Sequence, residues 1–122
     1  MALILLDKSA WVCGGAELVD YGQLCMCAIT RMEILYSARS AEGFTILQQD
    51  LEAYRDLRID HATVSGAEAA QRELSAIGQH RVALPDLLIA ACAQQHGADV
   101  LHLDRHFDLL AKTFGFRSIR LP

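Results

Sequence analysis

The most constraining feature of this sequence is an unbroken apolar run, ALILL, which covers residues 2–6 and stops abruptly at Asp7. A strand with one face in water alternates apolar and polar residues, because successive side chains point to opposite faces of the sheet. A short run without alternation is typical of a strand buried on both faces, as in a parallel sheet covered by helices. The run therefore predicts a central strand with a carboxylate at its carboxyl end.

The rest of the chain alternates between helical and extended patterns, which favours an α/β fold with a mainly parallel sheet. Thr30 with Glu33 and Ser65 with Glu68 have the spacing of capping boxes, and Gly97 ends a nearly all-apolar helix. Segment 24–28 fits either a strand or a helix end. We predict helices at 9–14, 30–38, 42–54, 65–77, 85–96 and 105–114, and strands at 2–6, 57–59, 99–104 and 116–121.

Composition restricts the class of protein. Of 122 residues, 52% are hydrophobic and 21% are charged, which excludes intrinsic disorder and fits one compact domain over residues 1–122. No segment reaches the roughly 18 uninterrupted apolar residues of a membrane span. The first residues lack the basic region of a signal peptide. We therefore expect a cytoplasmic domain with no membrane association.

The net charge of −4 argues at first against a nucleic-acid-binding protein, whose surface is usually basic. The argument weakens if acidic residues gather around metal ions, because two Mg²⁺ ions would bring the charge to about 0. The four cysteines lack the spacing of a zinc site, and Cys25 and Cys27 share one face of any strand they form. We expect them to be reduced and buried as small apolar residues.

Four carboxylates occupy unusual places in this pattern. Asp7 and Asp104 end predicted strands, whereas Glu33 and Asp86 lie near the starts of apolar helices. In open α/β sheets the carboxyl ends of the strands form the ligand-binding crevice. Carboxylate oxygens are the ligands that Mg²⁺ and Mn²⁺ prefer, so a divalent metal site is one interpretation. Helix capping and the helix dipole are the alternative for each acid taken singly.

Four segments, in this order along the chain, resemble the PIN domain family, and within it the VapC toxins of VapBC toxin–antitoxin pairs. Together they span nearly the whole chain. They read LLDKSAW (5–11), ITRMEILYSA (29–38), LPDLLIAA (84–91) and LHLDRHF (101–107).

The resemblance implies an α/β/α sandwich and a Mg²⁺-dependent endoribonuclease, with Mn²⁺ as a substitute ion. By position, Asp7, Glu33, Asp86 and Asp104 would form the catalytic quartet, and the three aspartates would be the direct metal ligands. Hydrolysis would use a metal-activated water, with Glu33 acting through water or positioning the nucleophile. Ser9 and Thr30 are secondary candidates, since hydroxyls there would orient an acid or a water; helix capping is their alternative.

One departure from the family pattern affects the metal site. Many relatives carry an acid two residues after the Asp104 equivalent, where this chain has His106. A second metal ion would then be held weakly or recruited with RNA. His106 is a candidate phosphate or Mn²⁺ contact, and Asp108 is a candidate substitute acid; an ordinary surface role is the alternative for both.

An RNA substrate would need cations near the acids. Each basic residue near these motifs is otherwise an ordinary solvated charge. The candidates are Lys8, Arg31, Arg39, Arg81, Arg105 and Lys112.

The resemblance also implies a VapB-type antitoxin partner, whose tail would enter the acidic groove, and a homodimer within a larger assembly. Leu35, Tyr36, Phe44, Leu47 and Leu51 would supply a partner surface or, equally, part of the core. A catalytically weak module that binds RNA or protein and, with less support, a phospho-accepting signalling domain are the competing functions.

Overall fold

The computed structural model describes residues 2–15, 22–103 and 106–120. Strands and helices alternate along most of the chain, as the sequence pattern predicts. In chain order the elements are β1 (Ala2–Leu6), α1 (Lys8–Val12), β2 (Gly22–Met26), α2 (Ala28–Tyr36), α3 (Ala41–Leu51), β3 (Arg55–Asp56), α4 (His61–Ser75), α5 (Leu84–His96), β4 (Ala98–His102), α6 (His106–Phe114) and β5 (Ser118–Arg120).

The strands form one parallel sheet of five in the order β3-β2-β1-β4-β5. The unbroken apolar run is therefore the middle strand. Leu5 pairs with Cys25 of β2 on one side and with Val100 of β4 on the other. Because all strands are parallel, the carboxyl ends of β1 and β4 lie at the same edge of the sheet.

Helices cover both faces of the sheet, so β1 is buried on both. Ile4 and Leu6 pack with Ile34 of α2 and Leu51 of α3 on one face. Leu5 points to the other face, where α4, α5 and α6 supply the packing residues. The α/β/α sandwich is confirmed, and the absence of alternation in β1 has its physical reason in this double burial.

Helix α2 begins earlier than predicted. Its N-cap is Cys27, which makes no side-chain capping bond, and Thr30 lies fully buried inside the helix. The capping box predicted from Thr30 and Glu33 is therefore wrong. The backbone enters the helix directly from the end of β2, so an apolar residue stands where a capping hydroxyl is usually found.

Helix α4 also begins earlier, at His61 instead of Ser65. Asp60 and Thr63 form its capping box, in which each side chain bonds the other residue's backbone N–H. Strand β3 is shorter than predicted and lies before Leu57. The Leu57 N–H still bonds the Met26 carbonyl at 2.9 Å, after which the chain turns toward the Asp60 cap. The apolar residues at 57 and 59 reflect core packing instead of a strand.

The remaining differences are small. Segment 22–26 is a strand, which settles the open alternative there, while α3 ends three residues before the predicted Tyr54 and β5 begins at Ser118. Gly97 ends α5 in the left-handed conformation with φ 66°, as predicted. Cys25, Cys27 and Cys92 are reduced and buried as expected, but Cys13 is exposed. Within the described residues, no helix is long and apolar enough to cross a bilayer.

The central position of Leu5 makes a stability prediction. Leu5→Ala removes a fully buried side chain from the middle strand and leaves a cavity, so we expect a loss of about 2–5 kcal/mol in the free energy of unfolding. Urea denaturation measures it. Ile46→Ala, at a position of α3 that is 53% exposed, is the control and should change stability by no more than about 0.5 kcal/mol. Equal effects in the two variants would contradict the assignment of β1 as the core strand.

Candidate active site

Asp7 connects the middle strand to the first helix. It directly follows β1, is only 6% exposed, and caps α1: its Oδ2 atom accepts the Ser9 N–H at 3.1 Å. The Asp7 N–H continues the sheet by donating to the Leu101 carbonyl of β4 at 3.0 Å. Its carboxylate is thus fixed at the carboxyl edge by both the backbone and the helix.

Ser9 joins Asp7 to the end of β4. Its hydroxyl donates to Asp7 Oδ2 at 2.6 Å and accepts the Leu103 N–H at 3.0 Å. Ser9 and Leu103 are 94 residues apart in the chain. Leu103 is the last described residue before position 104, and this bond fixes its backbone to Ser9. Asp104 itself lies outside the described residues, and its place in the site stays a prediction.

Glu33 lies in the interior of α2 and not in its first turn, so the capping alternative does not apply to it. Its Oε1 atom is buried and accepts no hydrogen bond from the described residues. Burial raises the pKa of the Glu33 carboxyl, and the Asp7 and Asp86 carboxylates raise it further, whereas Lys8 lowers it. Glu33 therefore interacts electrostatically with both Asp7 and Asp86.

Asp86 lies in the first turn of α5, behind Pro85, where the helix dipole favours a negative charge. Its side chain is 15% exposed, and its Oδ2 atom lies 3.7 Å from Nδ1 of His106 at the start of α6. His106, which stands where many relatives carry a further acid, therefore contacts Asp86, one of the four predicted catalytic acids.

A groove that Glu33 helps to line runs along α2, and we call it the α2 groove. Its volume is about 480 Å³, and most of its wall comes from one face of α2. The lining residues are Lys8, Ile29, Met32, Glu33, Tyr36 and Pro85.

Two of the secondary candidates point away from this groove. Thr30 is fully buried, with its Oγ1 atom 3.7 Å from the Cys27 sulfur. Asp108 accepts a hydrogen bond from the Ser118 hydroxyl at 2.8 Å, and its Oδ1 atom lies 3.9 Å from His102 Nε2. These contacts connect α6 with β4 and β5, so the Asp108 side chain points toward those two strands.

The predicted cations are divided among several surfaces. Lys8 lines the α2 groove, and Arg81 lines a separate depression together with His106. Arg31 instead forms an ion pair with Asp56 of β3. Lys112 lies among residues of α4 and α6. Arg39 is exposed, and Arg105 lies outside the described residues.

The oxygen donors of this edge suit a divalent ion. No three His, Cys, Asp or Glu side chains of the described residues form a ready-made metal cluster. Mg²⁺, however, usually takes only one or two carboxylates and completes its shell with water and substrate phosphate. The buried Glu33 Oε1, without a hydrogen bond from the described residues, is an acceptor that such a water can satisfy. The described acids therefore fit a sparsely coordinated hard cation.

Sequence reasoning missed two features of the site. The groove face of α2 carries Ile29, Met32 and Tyr36, and their spacing of three and four with Glu33 between them was the signal available. The Ser9–Leu103 bond had no signal in the sequence, because it joins segments that only the fold brings together. Of the predicted partner surface, Leu51 is buried, Leu35 and Leu47 pack against the core, and Tyr36 and Phe44 are exposed.

Comparison with known proteins agrees with this architecture. The family model described as PIN domain matches residues 4–113. Ribonuclease VapC17 of Mycobacterium tuberculosis is 40% identical over 129 aligned positions, which cover 99% of this chain and 97% of that protein.

Solved structures show the same fold. One is a VapBC family toxin–antitoxin member, VapBC-5 of Mycobacterium tuberculosis, with a TM-score of 0.76 and 22% identity over 99% of this chain and 100% of that one. Another is VapBC2 of Rickettsia felis, solved with a DNA fragment from the promoter; its TM-score is 0.80, with 15% identity over 98% and 99% of the two chains.

The Ser9 relay predicts a measurable loss of stability. In Ser9→Ala the buried Asp7 carboxylate loses its short hydroxyl bond and the Leu103 N–H loses its acceptor, so we expect a cost of about 1–3 kcal/mol. Urea denaturation measures this cost. Ser65→Ala, at an exposed position of α4, is the control. A Ser9→Ala variant as stable as wild type would show that the relay contributes nothing to the fold.

The raised pKa of Glu33 predicts a pH dependence. The folded protein holds this proton more tightly than the unfolded chain, so its stability falls as the pH rises from the ordinary value of 4.5 toward the raised pKa. Glu33→Gln removes this contribution, and we expect the variant to be more stable than wild type at pH 7 without metal. Thermal unfolding of both proteins from pH 4 to pH 8 gives the difference.

The control is Glu68→Gln, at an exposed position of α4, which should show no such divergence from wild type. Added Mg²⁺ should reduce the stability difference between Glu33→Gln and wild type, because a cation that binds only the native state stabilises the protein that keeps all its carboxylates. If the stability difference between wild type and Glu33→Gln were the same at every pH, the electrostatic coupling of Glu33 to Asp7 and Asp86 would be contradicted.

Proposed function

This chain belongs to the PIN domain family and to its VapC ribonucleases, and from that premise we propose that its acidic edge hydrolyses RNA phosphodiester bonds as the toxin of a toxin–antitoxin pair. The observation that carries the proposal is Glu33. It is a carboxyl in the interior of a helix, its pKa is raised by burial and by both Asp7 and Asp86, and its inner oxygen accepts no hydrogen bond from the described residues.

The proposed cofactor is Mg²⁺, with Mn²⁺ as a substitute; PIN-domain nucleases of the VapC type depend on divalent metal ions. Asp7 and Asp86 are the direct ligands we propose among the described residues, and Asp104 is the third. A divalent ion bound there would polarise the scissile phosphate and help to generate a hydroxide nucleophile. Mg²⁺ is favoured over softer ions because the described acids offer hard oxygen donors.

The protein's own groups orient this chemistry. Ser9 holds the Asp7 carboxylate in one position through its 2.6 Å bond, which limits the reorganisation needed when substrate binds. Glu33, whose charged form is disfavoured, is suited to accept a proton or to position a water. Lys8 lines the α2 groove with Glu33, and Arg81 lines the separate depression with His106; both would contact RNA phosphates.

A VapB-type antitoxin is the proposed partner. The VapBC complexes among the structural neighbours support such a partner, and the acidic edge supplies a physical reason for it. An arginine from an antitoxin tail would pair with the carboxylates through bidentate bonds and exclude both metal and RNA. A homodimer, a cytoplasmic location and a single domain over residues 1–122 stay predictions of the resemblance and the composition.

One contact favours a second candidate function. His106 replaces an acid of the family pattern and lies 3.7 Å from Asp86, so it reduces the negative charge of the edge whenever it is protonated. A protein with a weakened metal site would bind RNA or a partner without efficient cleavage. This catalytically weak module is the alternative that the activity test must separate.

The test is cleavage of a total small-RNA pool by purified protein with Mg²⁺ or Mn²⁺. We expect discrete fragments from wild type, and their loss with a chelator or in Asp86→Asn, which keeps the size of the side chain but removes a ligand charge. An activity decrease of at least about 100-fold is expected, in line with the loss of a charge-stabilising group at a reaction centre. Asp108→Asn, prepared identically, is the matched control, because Asp108 is bonded to Ser118.

The same assay tests the partner. Adding the protein encoded by the neighbouring gene should suppress cleavage. Equal activity in wild type and Asp86→Asn would identify a contaminating nuclease and remove the support for catalysis at this edge. Metal-dependent stabilisation of wild type without any cleavage would favour the binding module.

A further inference from the structure

His106 and Asp86 face each other at the starts of two packed helices. His106 is the first residue of α6, and Asp86 lies in the first turn of α5. The Nδ1 atom of His106 lies 3.7 Å from the Oδ2 atom of Asp86. Asp86 in turn acts on Glu33, whose pKa it raises together with Asp7. The imidazole therefore adjoins one carboxylate of the proposed reaction centre.

The separation of the two side chains fits a pair of ligands on one ion. It is longer than a hydrogen bond, which joins such atoms at about 2.7–3.2 Å. Ligand atoms that each lie about 2.1 Å from an ion are about 3.0 Å apart at a right angle and about 4.2 Å apart on opposite sides. The 3.7 Å between His106 and Asp86 lies within that range, so both atoms can bind one cation without a large movement of either helix.

The charge beside His106 selects a cation. Arg81 lines the same depression as His106, and those two residues alone would suit a phosphate. An anion placed at Nδ1, however, would be repelled by the Asp86 carboxylate, which is only 15% exposed. A divalent cation is attracted to that carboxylate and accepts the lone pair of a neutral imidazole. The contact therefore favours a metal ion.

An imidazole nitrogen changes which ions a site prefers. Carboxylate oxygens bind both Mg²⁺ and Mn²⁺, but Mg²⁺ keeps to oxygen ligands, whereas transition-metal ions also accept imidazole. Mn²⁺ therefore gains from His106 an interaction that Mg²⁺ does not use. The acid that many relatives carry at this position would serve both ions.

We infer that His106 is a metal ligand, which binds the ion through Nδ1 together with Asp86 and raises the affinity of this site for Mn²⁺ relative to Mg²⁺. The inference rests on the proposed function, because the ion is the cofactor of the proposed ribonuclease. It goes beyond that function by adding a nitrogen ligand to carboxylates that by themselves favour Mg²⁺. His106 then sets the metal preference of this chain.

Pulsed electron paramagnetic resonance of bound Mn²⁺ tests the ligand directly. A nitrogen atom bonded to Mn²⁺ modulates the electron spin echo, and ligands that bind through oxygen give no nitrogen signal. We expect this modulation in wild type and its loss in His106→Gln, which removes the ring and keeps a neutral polar side chain. The modulation should also weaken in Asp86→Asn, because the two residues share the ion.

His61→Gln is the matched control, since His61 is likewise an exposed histidine at the first residue of a helix, α4. Its neighbour Thr63 bonds Gln95 near the end of α5, at the opposite end of that helix from Asp86. The nitrogen modulation should therefore be unchanged in this variant. Metal-free His106→Gln should unfold at the wild-type temperature because the ring is 62% exposed, which separates a lost ligand from a lost fold.

Binding affinities give a second readout. Titration with Mn²⁺, followed by the resonance of the free ion, gives the Mn²⁺ affinity, and competition with Mg²⁺ gives the Mg²⁺ affinity. In His106→Gln we expect Mn²⁺ to bind about 10- to 100-fold more weakly, the loss typical of a group that supports a metal site, and Mg²⁺ to bind as in wild type. His106→Asp places there the acid of the family pattern. It should lower the preference for Mn²⁺ by a similar factor, through tighter binding of Mg²⁺.

Three results would overturn the inference. The first is a wild-type protein that binds no Mn²⁺, or binds it without nitrogen modulation. The second is modulation that persists in His106→Gln. The third is an equal loss of Mn²⁺ and Mg²⁺ affinity in that variant, because it would indicate a change in charge instead of the loss of a ligand.

The RNA-cleavage assay keeps this inference distinguishable from the proposed function. Metal-dependent cleavage by wild type, with no nitrogen bound to Mn²⁺, would remove His106 from the metal site and leave the ribonuclease standing. A nitrogen-bound Mn²⁺ without cleavage would do the reverse, since His106 would then be a metal ligand in a protein that does not hydrolyse RNA.

Discussion

Carboxylates repel one another, and the repulsion strengthens when they leave bulk water. Glu33 shows the effect in this fold: burial raises the pKa of its carboxyl, and the charges of Asp7 and Asp86 raise it further. A rigid frame resists this repulsion, and the fold supplies one through a middle strand that helices cover on both faces. The favourable packing of the core therefore offsets the repulsion between the carboxylates.

The local interactions that stabilise a charged carboxylate differ between these acids. Asp7 accepts the Ser9 N–H and hydroxyl, and Asp86 occupies a helix first turn where the dipole favours its charge. Glu33 has neither, because it lies in the interior of α2. Capping and catalysis are consequently not exclusive explanations for Asp7: the bonds that cap α1 also fix the direction of the carboxylate. Removing such a bond would loosen both the helix and the site.

Much of the fold was readable from the sequence because double burial leaves a simple pattern. The apolar run of β1, and the Pro85 and Gly97 limits of α5, are local signals, and the structure confirms them. The predicted start of α2 at Thr30 is wrong because Cys27, whose side chain makes no capping bond, is the N-cap, whereas Thr30 has the residue type and spacing of a cap. For the site, residue types, strand ends and the family resemblance predicted four acids; Asp7 and Asp86 raise the pKa of Glu33, whereas Asp104 lies outside the described residues. The Ser9–Leu103 bond could not be predicted, because no local pattern encodes a contact between segments 94 residues apart.

That long-range bond has a consequence for the order in which the protein acquires its chemistry during synthesis. Asp7 is synthesised before its backbone partner Leu101 and before Leu103, whose N–H donates to the Ser9 hydroxyl. An incomplete chain therefore has the first acid without the frame that orients it, since a contact of such separation closes late. A growing chain that has not yet reached β4 would therefore lack the contacts that orient Asp7.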